Sequence, residues 1–206
     1  MSLILPTGVR LAERAELPGP ARAREEAWSR IQSAALTPGY LTHESTDSRF
    51  SVYLEANVDA PNIWPLFTDL CTRLLSNSAV LLVGDIDDDD QLRSNAATAE
   101  ALIAALKPHA YQLSNDGCIQ IGMLEETSEH TTEVLIAPTK HFKIWVNDRD
   151  TVEQCLHLYG VQLADALEFL DEYPRTTLRL PEDKYSFNST VELIEYVNES
   201  ISAKRN

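Results

Sequence analysis

The sequence predicts an α+β fold, in which several helices flank a mixed, largely antiparallel sheet. The chain has 206 residues, of which 44% are hydrophobic and 24% are charged, and this is the composition of a folded globular protein. Apolar residues recur at helical spacing in some segments and alternate with polar residues in others. The alternating segments of the second half follow one another through short links, which is typical of antiparallel neighbours.

The N-terminal part predicts an irregular arm followed by one domain. Residues 1–20 contain three prolines and two glycines, so we expect no regular structure there. The remaining residues, 21–206, suit a single domain by length. A helix is predicted over residues 21–35 because Pro38 and Gly39 follow it, and residues 49–55 alternate as a half-buried strand does.

The middle of the chain predicts a helix, a buried strand and a second helix. Asp59, Ala60 and Pro61 form a helix start, since a proline is tolerated in the first turn. The apolar face of this helix comprises Ile63, Trp64, Phe67, Leu70, Cys71, Leu74 and Leu75. Residues 79–83 are continuously apolar, which indicates a central strand buried on both faces. Residues 96–106 suit another helix.

Two strand pairs are predicted next. A turn at residues 115–117 between apolar runs at 111–113 and 118–124 indicates a hairpin. Residues 132–137 and 141–146 form the second pair. On the last of these strands His141, Lys143 and Trp145 share one face, because side chains alternate along a strand. This face is either the open side of the sheet or a binding ridge.

The C-terminal part predicts three helices and one short extended piece. A helix begins at Asp150 and stops at Gly160, and a second covers residues 164–173. Residues 176–180 are predicted to be extended. A final helix over 191–200 is capped by Ser189 or Thr190.

Cysteine usage and hydropathy indicate a cytoplasmic protein. Cys71, Cys118 and Cys155 lie among apolar neighbours without metal-ligand spacing, so we expect reduced, buried thiols. The apolar stretch at the beginning of the sequence is too short for the hydrophobic region of a signal peptide. No apolar run approaches the ~20 residues of a membrane span.

Acidic residues dominate the charge of the chain. The formal net charge is −15, and residues 49–206 carry 26 acidic side chains against 12 basic ones. The densest run contains Asp85, Asp87, Asp88, Asp89 and Asp90. Such a surface repels nucleic acid and anionic membranes, and it attracts cations or a basic protein. We therefore expect neither nucleic acid nor a membrane as a partner.

The aspartate run is the main candidate for chemistry. It looks like the DxD motif of metal-dependent phosphohydrolases or glycosyltransferases, because Mg2+ and Ca2+ prefer carboxylate ligands. An EF-hand loop counted from Asp85 would need Gly and Glu where Asp90 and Ala96 stand. The chain also lacks a nucleophile-elbow motif and a Gly-rich phosphate loop. We expect no catalytic residue, metal or cofactor, and we interpret the run as a solvated loop suited to electrostatic docking.

In general character the chain resembles immunity proteins of bacterial polymorphic or contact-dependent toxin systems. The resemblance covers about residues 49–180 and rests on the runs 50–55, 116–122 and 139–145. It implies stoichiometric inhibition of a cognate protein toxin with a basic surface. The predicted partner-binding residues are Asp85, Asp87, Asp88, Asp89 and Asp90, with Glu125, Glu126 and Glu129 as a second group. A protein-interaction adaptor and a metal-dependent hydrolase or transferase are the alternatives.

Overall fold

A seven-stranded antiparallel sheet organises the chain in a computed structural model that describes residues 2–76, 78–88 and 90–203. In chain order the elements are β1 (Val9–Leu11), α1 (Ala21–Ser33), β2 (Gly39–Glu44), β3 (Val52–Asn57), α2 (Ile63–Leu74), β4 (Val80–Asp85), β5 (Leu92–Arg93), α3 (Ala99–Leu106), α4 (Ala110–Asn115), β6 (Ile119–Glu126), β7 (Thr131–Ile136), β8 (Phe142–Val146), α5 (Arg149–Leu158), β9 (Arg175–Thr177) and α6 (Thr190–Ala203).

The strand order in the large sheet is β2-β3-β8-β7-β6-β4-β5, and each neighbouring pair is antiparallel. A second, two-stranded sheet pairs β1 with β9. These sheets and the surrounding helices confirm the predicted α+β class.

Helices cover one face of the large sheet and form the main core with it. Leu54, Leu81, Ile121 and Ile144 project from four strands into this core and are completely buried. Helices α2 and α5 contact each other, and α6 packs on α3 and β4. Within the described residues, no helix is long and apolar enough to cross a bilayer. The opposite face of the sheet, which we call the open face, has a thinner cover.

Side chains alternate between the two faces as the sequence predicts. Phe142, Ile144 and Val146 of β8 are buried on the helix side, whereas Lys143 and Trp145 are half-buried on the open face. The ring of Trp145 contacts that of Tyr53 on the neighbouring strand in a tilted arrangement, with ring centroids 5.0 Å apart and 33° between the ring planes. The two-residue period therefore assigns the faces of this strand correctly.

Several predicted elements are confirmed with small shifts at their ends. Helices occur where residues 21–35, 96–106 and 191–200 predict them, and the second strand pair forms β7 and β8. Gly160 has a φ of +76°, so it adopts the left-handed conformation that follows a helix end after α5. Cys71, Cys118 and Cys155 are buried free thiols.

The predicted hairpin around residues 115–117 is wrong. Residues 110–115 form helix α4, and the turn signal marks a helix-to-strand junction before β6. Asp116 holds this junction because its carboxylate accepts bonds from Cys118 N at 2.9 Å and from Leu180 N at 3.3 Å. A Cβ on Gly117 would overlap the backbone of Gly8, so only glycine fits this position.

The helix predicted over residues 164–173 is also wrong. This segment contains only a short 3-10 turn at Leu170–Glu172. Two of its backbone groups bond to the sheet instead: Ala164 N donates to Tyr40 O of β2 at 3.0 Å, and Glu168 O accepts from Asn57 Nδ2 of β3 at 2.8 Å. Tertiary partners outside the segment therefore replace the helical hydrogen bonds.

Three further corrections concern strands. The arm predicted to be irregular contains β1, because β9 supplies partners for residues 9–11. Strand β2, an edge of the sheet, was not predicted. Strand β4 is buried on both faces at Leu81, Leu82 and Val83 as expected, but it lies second from the edge rather than at the centre.

Candidate functional site

The first candidate site is the acidic loop, which we define as Asp85 to Asp90, at the C-terminal end of β4. The guanidinium of Arg179 donates to both carboxylate oxygens of Asp85 at 2.8 and 2.7 Å, and to Asp87 Oδ2 at 2.7 Å. Burial acts to raise the pKa of Asp85, but the bonds from Arg179 and from Asp87 N outweigh it and lower the pKa. Asp85 is therefore an anchor of the loop, charged at neutral pH.

Main-chain bonds give the acidic loop a defined shape. Asp87 N donates to Asp85 Oδ1 at 3.0 Å, and Asp90 N donates to Asp88 Oδ1 at 3.1 Å. The side chain of Asp87 is 73% exposed, and Asp88 and Asp90 are exposed as well. Among the described residues no basic side chain lies within 4 Å of the carboxylates of Asp88 or Asp90. Asp89, also predicted to bind the partner, lies outside the described residues.

A cleft of about 490 Å3 separates the acidic loop from the beginning of α6. We call it the loop cleft. Asp85, Asp87 and Asp88 line one wall, and Tyr185 and Val191 contribute to the other. Val191 is 52% exposed, although it is aliphatic. The acidic loop therefore borders a recess that presents apolar surface.

The second predicted group lies in the hairpin between β6 and β7. Glu125 accepts bonds from Ser76 N and Ser76 Oγ, both at 2.6 Å, and its side chain is only 13% exposed. Glu126 pairs with Arg49 at 3.1 Å. Glu129 is exposed, and its carboxylate makes no bond to a described residue. Two of the three glutamates thus serve contacts within the chain.

The two acidic groups lie at opposite ends of the sheet. Asp85 is paired with Ile119 at the beginning of β6, whereas Glu126 ends that strand. Seven residues of extended chain span roughly 23 Å, at about 3.3 Å per residue. The structure therefore does not bring these groups together.

The described part of the chain contains no cluster of three or more His, Cys, Asp or Glu side chains placed to hold a metal ion. A cation at Asp85 would have to displace the two bonds from Arg179. In a metal-dependent enzyme with a DxD motif these carboxylates would bind the metal ion. In the described part of this chain, Arg179 occupies that position instead.

The basic residues around His141, whose strand face was interpreted as either the open side of the sheet or a binding ridge, are divided between the interior and the surface. Lys140 is 2% exposed, and its Nζ donates to Leu113 O at 3.0 Å and to Ile119 O at 2.7 Å. Burial lowers the pKa of Lys140 to about 7. The backbone of Lys140 has a φ of 65°, so this residue does not continue the alternation of side chains that His141 and Lys143 follow.

A second cleft lies between the open face and residues 171–177, and we call it the sheet-face cleft. Its volume is about 490 Å3, and its lining includes Lys143, Asp171, Tyr173 and Arg175. The sequence does not reveal this cleft, since Lys143 and Arg175 are far apart in the chain. The one signal available was the assignment of Lys143 to the open face.

His141 lies behind the wall of the sheet-face cleft. It is 3% exposed, its Nδ1 lies 2.9 Å from Thr139 Oγ1, and its Nε2 has no hydrogen-bond partner among the described residues. The nearest carboxylate oxygen to Nε2 is Asp171 Oδ2, at 4.0 Å. Burial lowers the pKa of His141 to about 4, so the ring is neutral at physiological pH.

Comparison of the chain with protein-family models, with curated proteins and with solved structures found no match. The function is therefore inferred from the acidic loop and its surroundings.

Proposed function

We propose that this protein is an acidic binding protein of the cytoplasm that neutralises a cognate toxin domain by stoichiometric binding, as an immunity protein does. The observation that carries the proposal is the acidic loop: its carboxylates at Asp87, Asp88 and Asp90 are exposed, and among the described residues only Asp87 contacts a cation, Arg179. A basic protein surface would neutralise this excess charge.

Arg179 prepares the loop for binding. Its bonds to Asp85 and Asp87, together with the two main-chain bonds to Asp85 and Asp88, hold the exposed carboxylates of Asp87 and Asp88 in place before a partner arrives. A preorganised loop loses little conformational entropy on association. The negative field also steers a basic partner toward the loop, at rates above the roughly 10^5–10^6 M⁻¹s⁻¹ of unsteered pairs.

The loop cleft supplies the other half of an interface. Stable interfaces concentrate affinity in a few apolar or aromatic anchors that a charged rim surrounds. Val191 and Tyr185 offer apolar surface for such an anchor, and the acidic loop forms the rim. In the proposed complex the acidic loop covers the basic substrate cleft of the toxin domain and excludes its substrate.

The test uses the tagged chain as bait in a lysate of its own cells, followed by purification of the retained protein. We expect a basic partner protein that forms a 1:1 complex with the chain and is toxic when expressed alone. Its activity should be lost when an equimolar amount of the chain is added. A partner whose activity is unaffected by the chain would contradict neutralisation and favour the adaptor.

Charge variants then locate the interface on the loop. The triple change Asp87→Asn, Asp88→Asn and Asp90→Asn should weaken binding at least tenfold, chiefly through a slower association rate. The matched control removes the same charge from exposed positions on α3 and α6, with Glu100→Gln, Glu195→Gln and Glu199→Gln. Equal losses in both variants would mean that net charge alone, and not the acidic loop, determines binding.

A further inference from the structure

The sheet-face cleft has the size and the mixed chemistry of a small-molecule site. Its volume of about 490 Å3 falls within the range of roughly 300–1,000 Å3 typical of ligand pockets. Its floor is the open face of the sheet, and its roof is formed by residues 171–177, the last three of which are β9. It shares no lining residue with the loop cleft, although Ile86 of the acidic loop belongs to its wall.

Two cations enter the sheet-face cleft from different walls. Lys143 rises from β8, and its nearest carboxylate, that of Glu55, lies 3.9 Å from Nζ. Arg175 comes from the roof, where its Nη1 donates to the main-chain oxygen of Asp171 at 3.0 Å. No carboxylate of a described residue lies within 4 Å of the Arg175 guanidinium. Both cations therefore keep donors for an anionic group, and arginine suits a carboxylate because it donates in a planar fork.

Asp171 adds an acceptor to the same cleft. Its side chain is 37% exposed, and its nearest basic atom, His141 Nε2, is too distant at 4.0 Å for a hydrogen bond. Because the His141 ring is neutral, no described cation lies within 4 Å of the Asp171 carboxylate. Asp171 and Glu55 together disfavour a dianion, whereas Asp171 favours a ligand with a hydrogen-bond donor next to its anionic group.

The remaining lining is apolar or aromatic. Leu135 of β7 and Ala137, which follows that strand, form part of the floor, and Tyr173 and Pro174 belong to the roof. An apolar ligand body between these residues would bury hydrophobic surface. We propose that the sheet-face cleft binds a small amphipathic 2-hydroxy acid, with its carboxylate on Lys143 and Arg175, its hydroxyl on Asp171 and its apolar body against Leu135 and Tyr173.

The binding test titrates the whole chain with three probes while amide chemical shifts are followed by NMR. 3-Phenyllactate carries all three proposed features, 3-phenylpropionate lacks the hydroxyl, and phenyl phosphate replaces the carboxylate by a dianion. We expect 3-phenyllactate to bind with a dissociation constant of about 1 mM or tighter. 3-Phenylpropionate should bind several-fold more weakly, because it leaves Asp171 without a donor. Phenyl phosphate should bind most weakly.

Variants assign the cations. Lys143→Met removes the ammonium group but keeps the strand and its aliphatic contacts, and Arg175→Gln removes the guanidinium. Each change should weaken the binding of 3-phenyllactate at least tenfold. Arg24→Gln, on the exposed surface of α1, is the matched control and should change nothing.

Three results would overturn the proposal. The first is the absence of saturable shifts around Thr139, Lys143 and Arg175 with 3-phenyllactate. The second is unchanged affinity in Lys143→Met, which stands on a rigid strand and is not expected to disturb the fold. The third is tighter binding of phenyl phosphate than of 3-phenyllactate, which would exclude the assigned ligand class.

Discussion

Lys140 shows how one buried cation can hold two elements together. Its ammonium group donates hydrogen bonds to the carbonyl oxygens of Leu113 in α4 and Ile119 in β6, so it links the two sides of the helix-to-strand junction. Desolvation is costly for a charge, and here it lowers the pKa of Lys140 to about 7 despite the nearby negative charge of Asp116. The folded protein therefore holds this proton less tightly than the unfolded chain does.

The lowered pKa of Lys140 predicts a pH dependence of stability. In the unfolded chain a lysine titrates near 10.4, so between about pH 7 and that value the unfolded state binds more protons. The contribution of Lys140 to the free energy of unfolding should thus rise with pH above 7, by up to about 1.4 kcal/mol per pH unit. Below pH 7 it should be constant.

Urea unfolding at several pH values from 7.0 to 8.5 measures this contribution. The series stops near the ordinary cysteine pKa of about 8.5, so that titration of the thiols in the unfolded chain adds little. Lys140→Met serves as the comparison, because it retains the other titrating groups. The wild-type free energy should rise relative to that of Lys140→Met across the series. Parallel curves for the two proteins would show that Lys140 keeps an ordinary pKa in the folded state.

At the scale of elements, α6 links the core to the loop cleft. Leu193, Ile194, Val197 and Ile201 are buried on one stripe of the helix, against α3 and β4. Ser189 Oγ accepts from Glu192 N at 3.1 Å, and the Glu192 carboxylate accepts from Asn188 N at 2.9 Å. These bonds satisfy N–H groups in and just before the first turn, which borders the loop cleft.

Removal of the cap predicts a modest loss of stability. Ser189→Ala should lower the free energy of unfolding by about 1 kcal/mol, because one N–H of the first turn loses its acceptor. For a chain of this length the melting temperature should fall by about 2–4 °C. Ser202→Ala is the matched control, since Ser202 Oγ only bonds Asn198 O within the exposed last turn. Equal melting temperatures for the two variants would contradict the capping role.

At the scale of the whole molecule, the net charge of −15 opposes the compact state. Many acidic side chains are paired locally, as in the contacts between Arg10 and Glu16 at 2.7 Å and between Arg149 and Glu153 at 2.8 Å. Exposed pairs of this kind contribute little to stability. Repulsion among the unpaired carboxylates therefore remains in the folded protein.

Salt should consequently stabilise the protein. From about 10 mM to about 1 M salt the Debye length falls from about 30 to about 3 Å, so repulsion between distant carboxylates is screened. We expect the melting temperature, followed by circular dichroism, to rise over this range by several degrees. The triple change Asp87→Asn, Asp88→Asn and Asp90→Asn should reduce the rise. A melting temperature that falls with salt would mean that local ion pairs outweigh the repulsion.

Local patterns in the sequence sufficed for the elements whose partners are close in the chain. The helices α1, α3, α5 and α6 follow apolar periodicity and terminal signals, and β7 and β8 are joined by a short link that makes them neighbours. The α+β class follows from these elements. The acidic loop was also visible, because a run of aspartates at the end of a buried strand is expected to lie near the surface.

Tertiary structure decided whatever depends on partners far apart in the chain. Residues 110–115 are helical and residues 164–173 are not, because their surroundings supply other hydrogen bonds than the local pattern suggests. The sequence could not tell that Lys140 turns inward or that Arg179 binds Asp85, 94 residues away. The sheet-face cleft likewise joins Lys143 to Arg175. Sequence by itself determined the local elements and the sign of the charge, whereas the positions of individual charges required the folded chain, since packing and desolvation act between residues that only the fold brings together.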